Sequence, residues 1–139
     1  MKFERRINYY ETDKMTFVHH SNYIRFFEEA RVYLLDKFGL NYAYLEKRGI
    51  MIPVLDIEVK YRKYLSFDDT IVIDTKIKSF NGVKMTVGYE VFNKADGTLA
   101  TTGQSTHCFI DGQTHKPINM KRSYPEIYET LKKIESELN

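Results

Sequence analysis

The chain has few of the residues that cross-link a fold or bend it often: one cysteine, three prolines and seven glycines in 139 residues. A lone cysteine, Cys108, excludes an internal disulfide framework and fits a reducing compartment. With no activating pattern around it, Cys108 reads as a small apolar strand residue rather than a catalytic thiol. No stretch approaches the roughly 20 apolar residues that a membrane-spanning helix needs. Met1 leads into KFERRINYY without an apolar signal segment. The expectation is a soluble, cytoplasmic protein with no membrane span. Excess charge is also scarce. Lys and Arg number 21 against 19 Asp and Glu, a net +2, which excludes a nucleic-acid binder relying on bulk positive charge. There is no repeat, low-complexity tract or composition shift, so one domain spanning 1–139 is expected.

What is present is a core: 42% of the residues are hydrophobic and 14% aromatic. Phe3, Ile7 and Tyr9 alternate with Glu4, Arg6 and Asn8, Arg5 being the exception, and predict a first strand over 3–10. Tyr23, Phe26, Phe27, Ala30, Leu34 and Phe38 follow helical spacing, with Ser21 or Asn22 to cap the helix and Gly39 to end it. A shorter helix over 41–48 is stopped by Gly49. The period then changes to two at Leu55, Ile57, Val59 and Tyr61, again at Ile71 to Ile77, and again at Val83 to Val91. Asn81-Gly82 and Lys94-Ala95-Asp96-Gly97 predict turns between strands, and Leu99 to Ile110 is the last long strand. Ser123 with Glu126 makes a capping box for a final helix with Ile127, Leu131, Ile134 and Leu138 on one face. One strand, a long helix and then four strands give an α+β order, in which the helix covers one face of an antiparallel sheet.

The stretch YYETDKMTFVHHSNY, residues 9–23, sets a lone carboxylate, Asp13, between a tyrosine pair and a histidine pair. An aspartate before a helix is often only a turn cap. Tyr9 fits a core strand aromatic as well as a site residue. His19 and His20 are adjacent and would diverge in an extended segment; with His107 and His115 they show no zinc spacing, so no metal and no cofactor are expected. Glu28 and Glu29 read as solvated helical charge. Lys60, Arg62 and Lys63 form the densest basic cluster of the strand region, and would serve either as a charged strand face or as a phosphate site.

Tyr9-Tyr10-Glu11-Thr12-Asp13, followed by Phe17-Val18-His19-His20 and Asn22-Tyr23, resembles the hot-dog-fold acyl-CoA thioesterases of the 4-hydroxybenzoyl-CoA thioesterase family, in particular the Tol-Pal-associated bacterial branch. VKYRKYLSFDDTIVI, residues 59–73, is similar to that family's second and third strands and their crossing. The resemblance implies a hot-dog fold: a five-stranded antiparallel sheet wrapped around one long helix, plus a C-terminal helix, in a homodimer or homotetramer. It implies acyl-CoA as substrate, Asp13 as general base or nucleophile, and the His20 backbone amide as oxyanion donor, with the His20 imidazole and Tyr9 holding substrate or orienting Asp13. Tyr23 and Phe27 would edge an acyl pocket, and Lys60, Arg62 and Lys63 would hold the phosphates of coenzyme A. The chemistry permits a single carboxylate, because a thioester is already electrophilic and its thiolate, with a conjugate thiol of pKa about 8 to 9, departs with little acid assistance. Alternatives are hydrolysis of acyl groups from acyl carrier protein, a hydratase of the same fold, and a non-catalytic acyl-ligand module. Thr16 stands where the family has glycine and favours the last.

Overall fold

The computed structural model describes residues 1–138. Five antiparallel strands form the main sheet: β1 (Lys2–Arg6), β3 (Val54–Tyr61), β4 (Thr70–Phe80), β5 (Lys84–Asn93) and β6 (Leu99–Cys108), in the order β1-β4-β5-β6-β3. The remaining two strands, β2 (Ile50–Met51) and β7 (Ile110–Asp111), pair separately in a small ladder that the sequence pattern did not announce. The long helix α1 (Asn22–Lys37) lies on the sheet, burying Tyr23, Phe26, Phe27, Ala30, Leu34 and Leu35. Helix α2 (Tyr42–Lys47) begins at Asn41, whose side chain accepts from the Tyr44 N–H. Gly49, at φ 80°, lets the chain leave that helix in a conformation that favours glycine. The short α3 (Met120–Ser123) leads into α4 (Pro125–Glu137), which buries Ile127, Leu131 and Ile134.

Several local expectations shift, each for a physical reason. The first strand ends at Arg6, and Tyr9–Glu11 form a 3-10 turn, so Tyr9 leaves the sheet alternation and is 76% exposed. The inward side of β1 carries Phe3 and Arg5; Phe3 meets Tyr33 of α1, and the Arg5 guanidinium lies 4.5 Å from the Phe26 ring centroid. The alternation of β3 breaks at a bulge between Val54 and Asp56, which leaves Leu55 about half exposed. Ser123 does not cap the last helix: it ends α3, and α4 starts at Pro125, whose missing N–H costs nothing in the first turn. Glu126 bonds Arg48 instead of closing a capping box. Asn81 and Gly82 do form the β4–β5 turn, Gly82 taking φ 91° and the Asn81 side chain accepting from the Val83 and Lys84 amides.

Between α1 and the sheet lies a chain of buried polar groups. Arg31 donates to the hydroxyls of Tyr42 (3.1 Å) and Tyr89 (2.9 Å); Tyr89 is 2.6 Å from the Ser105 hydroxyl, which is 2.7 Å from His107 Nε2. Burial, reinforced by the Arg31 charge, pushes the His107 imidazole down to about 4. The folded value lies below the unfolded one, so the neutral ring contributes stability that is full above about pH 6.5 and is lost as pH falls from there towards about 4. Urea midpoints measured across this window should drop more steeply for the wild type than for His107→Gln, which keeps a bonding partner for Ser105 but cannot titrate; parallel curves would remove His107 from the acid response.

Candidate functional site

The Asp13 loop is a tight hairpin between two ends of chain that bond to each other. The Asp13 N–H donates to the Phe17 carbonyl (2.8 Å) and the Thr16 N–H to the Asp13 carbonyl (3.0 Å), with Thr12 and Val18 bridged across its base. This is a turn followed by one residue in the left-handed region, a place usually held by glycine. Thr16 occupies it at φ 68°. The turn is therefore made with a β-branched residue under strain. Asp13 Oδ1 accepts from the Met15 N–H at 2.8 Å, which fixes the carboxylate, while Oδ2 has no hydrogen-bond partner among the described residues.

Behind this loop sits a cluster that the sequence pattern hid. Glu11 is only 4% exposed, and its carboxylate takes hydrogen bonds from the Arg5 guanidinium and the Asn8 N–H. Its carbonyl takes the His19 N–H (2.9 Å) and the Asn22 side-chain amide (2.8 Å), tying the loop to the start of α1. Arg5 also reaches Glu29, whose carboxyl burial raises above its ordinary range against the pull of the Arg5 charge. Glu29 is thus a partner of Arg5 rather than simply a solvated charge. The one signal for this cluster was Arg5 itself, the cation that broke the alternation of the first strand.

Neither Ser21 nor Asn22 caps α1 with its side chain; the Ser21 hydroxyl lies 2.8 Å from His19 Nδ1 instead. Residues 19–21 turn rather than extend, so the two imidazoles do not diverge: their centroids are 4.1 Å apart. The His20 N–H has no partner among the described residues, whereas its carbonyl accepts from the Tyr61 hydroxyl at 3.2 Å.

Asp13, His20, Tyr23, Arg62 and Lys63 together line a cavity of about 310 Å³, with Phe17, Tyr61 and Tyr64 completing an aromatic wall. Phe17 and Tyr64 stack at 4.2 Å, and Tyr23 meets Tyr61 edge-on at 5.1 Å. Burial holds the Tyr23 phenol protonated, pushing it up to about 12. Three of the expected site residues do not line this cavity. Tyr9 faces outward against Phe67, Phe27 is fully buried behind Tyr23, and Lys60 lies on the other face of β3, 3.8 Å from Glu58. Tyr61, Tyr64 and Phe17 are wall residues that sequence reasoning missed; the aromatic density of YRKY, residues 61–64, was the signal for the two tyrosines, and for Phe17 it was its place four residues after Asp13.

Comparison with known proteins places the chain in a family. Residues 7–131 match the sequence profile of the thioesterase-like superfamily. The "Putative acyl-CoA thioesterase YneP" of Bacillus subtilis is 37% identical over 135 residues, covering 95% of this chain and 97% of the relative. The crystal structure of a DHNA-CoA thioesterase from Staphylococcus aureus superposes with a TM-score of 0.91 at 36% identity, over 97% of this chain and 90% of that one. An Acyl-CoA thioester hydrolase, YbgC of Escherichia coli, is 26% identical over 118 residues, 85% of this chain and 87% of the relative. The fold is the hot-dog fold, α+β, with its five-stranded antiparallel sheet.

The strained turn generates one expectation. A left-handed β-branched residue costs about 1–3 kcal/mol, partly offset by the extra unfolded-state freedom of glycine. Thr16→Gly should therefore raise stability by about 1 kcal/mol in urea unfolding; a lower midpoint would mean that Thr16 contributes a contact that outweighs its backbone strain.

Proposed function

The chain belongs to the thioesterase-like superfamily and is a thioester hydrolase, and from that premise we propose that it cleaves acyl-CoA with Asp13 as the catalytic group. The observation that carries the assignment is the Asp13 carboxylate, fixed through one oxygen by Met15 and presenting the other beside a cavity bordered by the start of α1. Either the free oxygen takes a proton from a water that attacks the thioester carbonyl, or it attacks the carbonyl itself to form a mixed anhydride that a water then cleaves, regenerating the Asp13 carboxylate. The unpartnered His20 N–H, at the positive end of α1, donates to the developing oxyanion. The thiolate of coenzyme A leaves without a dedicated acid.

Arg62 and Lys63 stand at the cavity with their backbone amides both bonded to the Ala100 carbonyl, and their side chains serve the phosphates of coenzyme A. Lys60 and Tyr9 have at most a peripheral part, because neither reaches the cavity within one chain. The aromatic wall suits a planar acyl group; the Staphylococcus aureus relative is named for DHNA-CoA. The narrower placement in the Tol-Pal-associated branch rests on the motif at 9–23 alone. Acyl carrier protein is a weaker substrate candidate, since its acidic surface calls for a broader basic patch than Arg62 and Lys63 provide. The purely binding module loses its chief support, because Thr16 holds the glycine-type path. The one cysteine fits action in the cytoplasm.

Asp13→Asn keeps size and most hydrogen bonding but removes the charge, so kcat should fall by at least about a hundredfold with KM little changed. In the same assays, neutralising Arg62 and Lys63 should raise KM for acyl-CoA and leave a truncated acyl-pantetheine thioester nearly unaffected. A rate within a few-fold of wild type for Asp13→Asn would reduce Asp13 to a turn cap.

The protein acts as at least a homodimer. Strand β3 is a sheet edge, Val54, Leu55 and Tyr61 on it are exposed, and it ends at the cavity. Sedimentation at micromolar concentration should show a dimer or tetramer; a fully active monomer would contradict this.

A further inference from the structure

Tyr23, Phe27 and Arg31 recur every four residues along α1 and are all buried, so they form one line on the helix face turned to the sheet. Tyr23 borders the cavity. Phe27, next in line, lies flat on Tyr89 with centroids 4.4 Å apart and planes 6° from parallel. Across from it, β6 presents Thr101, Gly103 and Ser105 at alternate positions. Gly103 is what admits the ring: a Cβ there would stand 2.5 Å from Phe27 and 2.8 Å from the Glu58 carbonyl. Beyond the ring begins the buried lane of Arg31, Tyr89, Ser105 and His107, and no carboxylate pairs with Arg31 among the described residues.

We propose that Phe27 is the stop of the acyl pocket, a specificity-determining residue that restricts the site to compact acyl groups and shuts it off from the guanidinium and hydroxyls behind. The inference rests on the thioesterase reading given above. An aliphatic chain longer than the aromatic cavity would have to pass Tyr23 and then displace a ring that is stacked face-on against Tyr89 and seated by its edge over the bare backbone of Gly103, the strand partner of Tyr89. Its methyl end would then lie among polar groups whose hydrogen bonds it could not replace. With the ring removed, the opened space ends at Arg31 and Tyr89, which suits a longer acyl group carrying an oxygen at its far end, a carboxylate above all.

The test is kcat/KM over straight-chain acyl-CoA substrates from acetyl to dodecanoyl, and over ω-carboxyacyl-CoA substrates of matching length, for wild type, Phe27→Leu and Phe27→Ala. Wild type should fall steeply beyond short chains. The variants should raise the ratio of longer to acetyl substrate by at least about tenfold, Ala more than Leu, with the larger gain for the ω-carboxy series in Phe27→Ala. Phe27→Leu, which fills more of the space, decides the matter if Phe27→Ala does not fold. A wild-type profile flat to dodecanoyl, or folded variants that keep the wild-type profile, overturns the proposal. If the wild type hydrolyses no acyl-CoA, the thioesterase reading fails by itself. Calorimetric titration of the same acyl-CoA series then decides the stop: a variant affinity profile shifted to longer chains supports it, and an unshifted one overturns it.

Discussion

A buried carboxylate, Glu11, holds the site together. Its side chain is gripped by Arg5 from β1 and by the Asn8 amide, and its carbonyl by His19 and by Asn22 of α1. Three parts of the chain far apart in purpose, the first strand, the Asp13 turn and the helix start, are thereby fixed to one another. A buried ion pair is weak evidence of net stability, since desolvation offsets most of the attraction. Its value here is positional. Losing Arg5 would leave the Glu11 carboxylate buried without its cation, and losing Glu11 would leave Arg5, over the Phe26 ring, with only the more exposed Glu29, so the hairpin is held in one seating against the helix. The geometry of Asp13 relative to the His20 N–H follows from that anchoring rather than from any direct bond between the two.

Once the turn is anchored, its own strain becomes tolerable. Thr16 in the left-handed region is held by bonds on both sides: its N–H to the Asp13 carbonyl, and its carbonyl receiving the Phe67 N–H from the crossing segment after β3. The same segment bonds Val18 through the Leu65 carbonyl and pairs Ser66 with Phe17. The crossing thus serves as the outer support of the Asp13 hairpin while its first residues, Arg62 to Tyr64, furnish part of the wall of the cavity. One loop supplies both support and lining, which explains why the basic pair and the aromatic wall stand together.

The elements with strong periodicity were readable in the sequence because burial on one face writes itself into the pattern. The α1 face from Tyr23 to Leu34, the alternation of β4 and β5, and Gly82 in the hairpin all follow directly. What stayed hidden depends on interactions distant in sequence. Arg5 looked like an error in alternation and is an inward cation that needs Glu11, six residues on, and Glu29, 24 on. Leu55 looked like a core position until the bulge turned it out. Arg31 sits on the buried helix face only because Tyr42 and Tyr89 meet it there. Of the site, the motif gave Asp13, His20 and Tyr23 their neighbourhood. It could not reveal that Tyr9 leaves the strand for a 3-10 turn or that Lys60 points to the other face of its strand, because a change of one residue in phase reverses the direction of every side chain after it.

These constraints divide α1 into three stretches with different duties. Its start has no side-chain cap, the Asn22 and Tyr23 amides bond back to the His19 and His20 carbonyls, and just ahead of it the His20 N–H has no partner among the described residues, which leaves that donor open for the proposed oxyanion role. Its middle is tightly packed, Phe27 against Tyr89 and over Gly103, behind the Tyr23 that borders the cavity. Its third quarter carries a buried guanidinium held by hydroxyls, which costs desolvation without an ion pair to offset it. Rigidity in the middle isolates the open donor at one end from the buried charge further along. A softer residue at Phe27 would put water or substrate in contact with Arg31 and connect two environments that the fold keeps apart, so the packing of one ring bears on both the reach of the site and the dryness of the core.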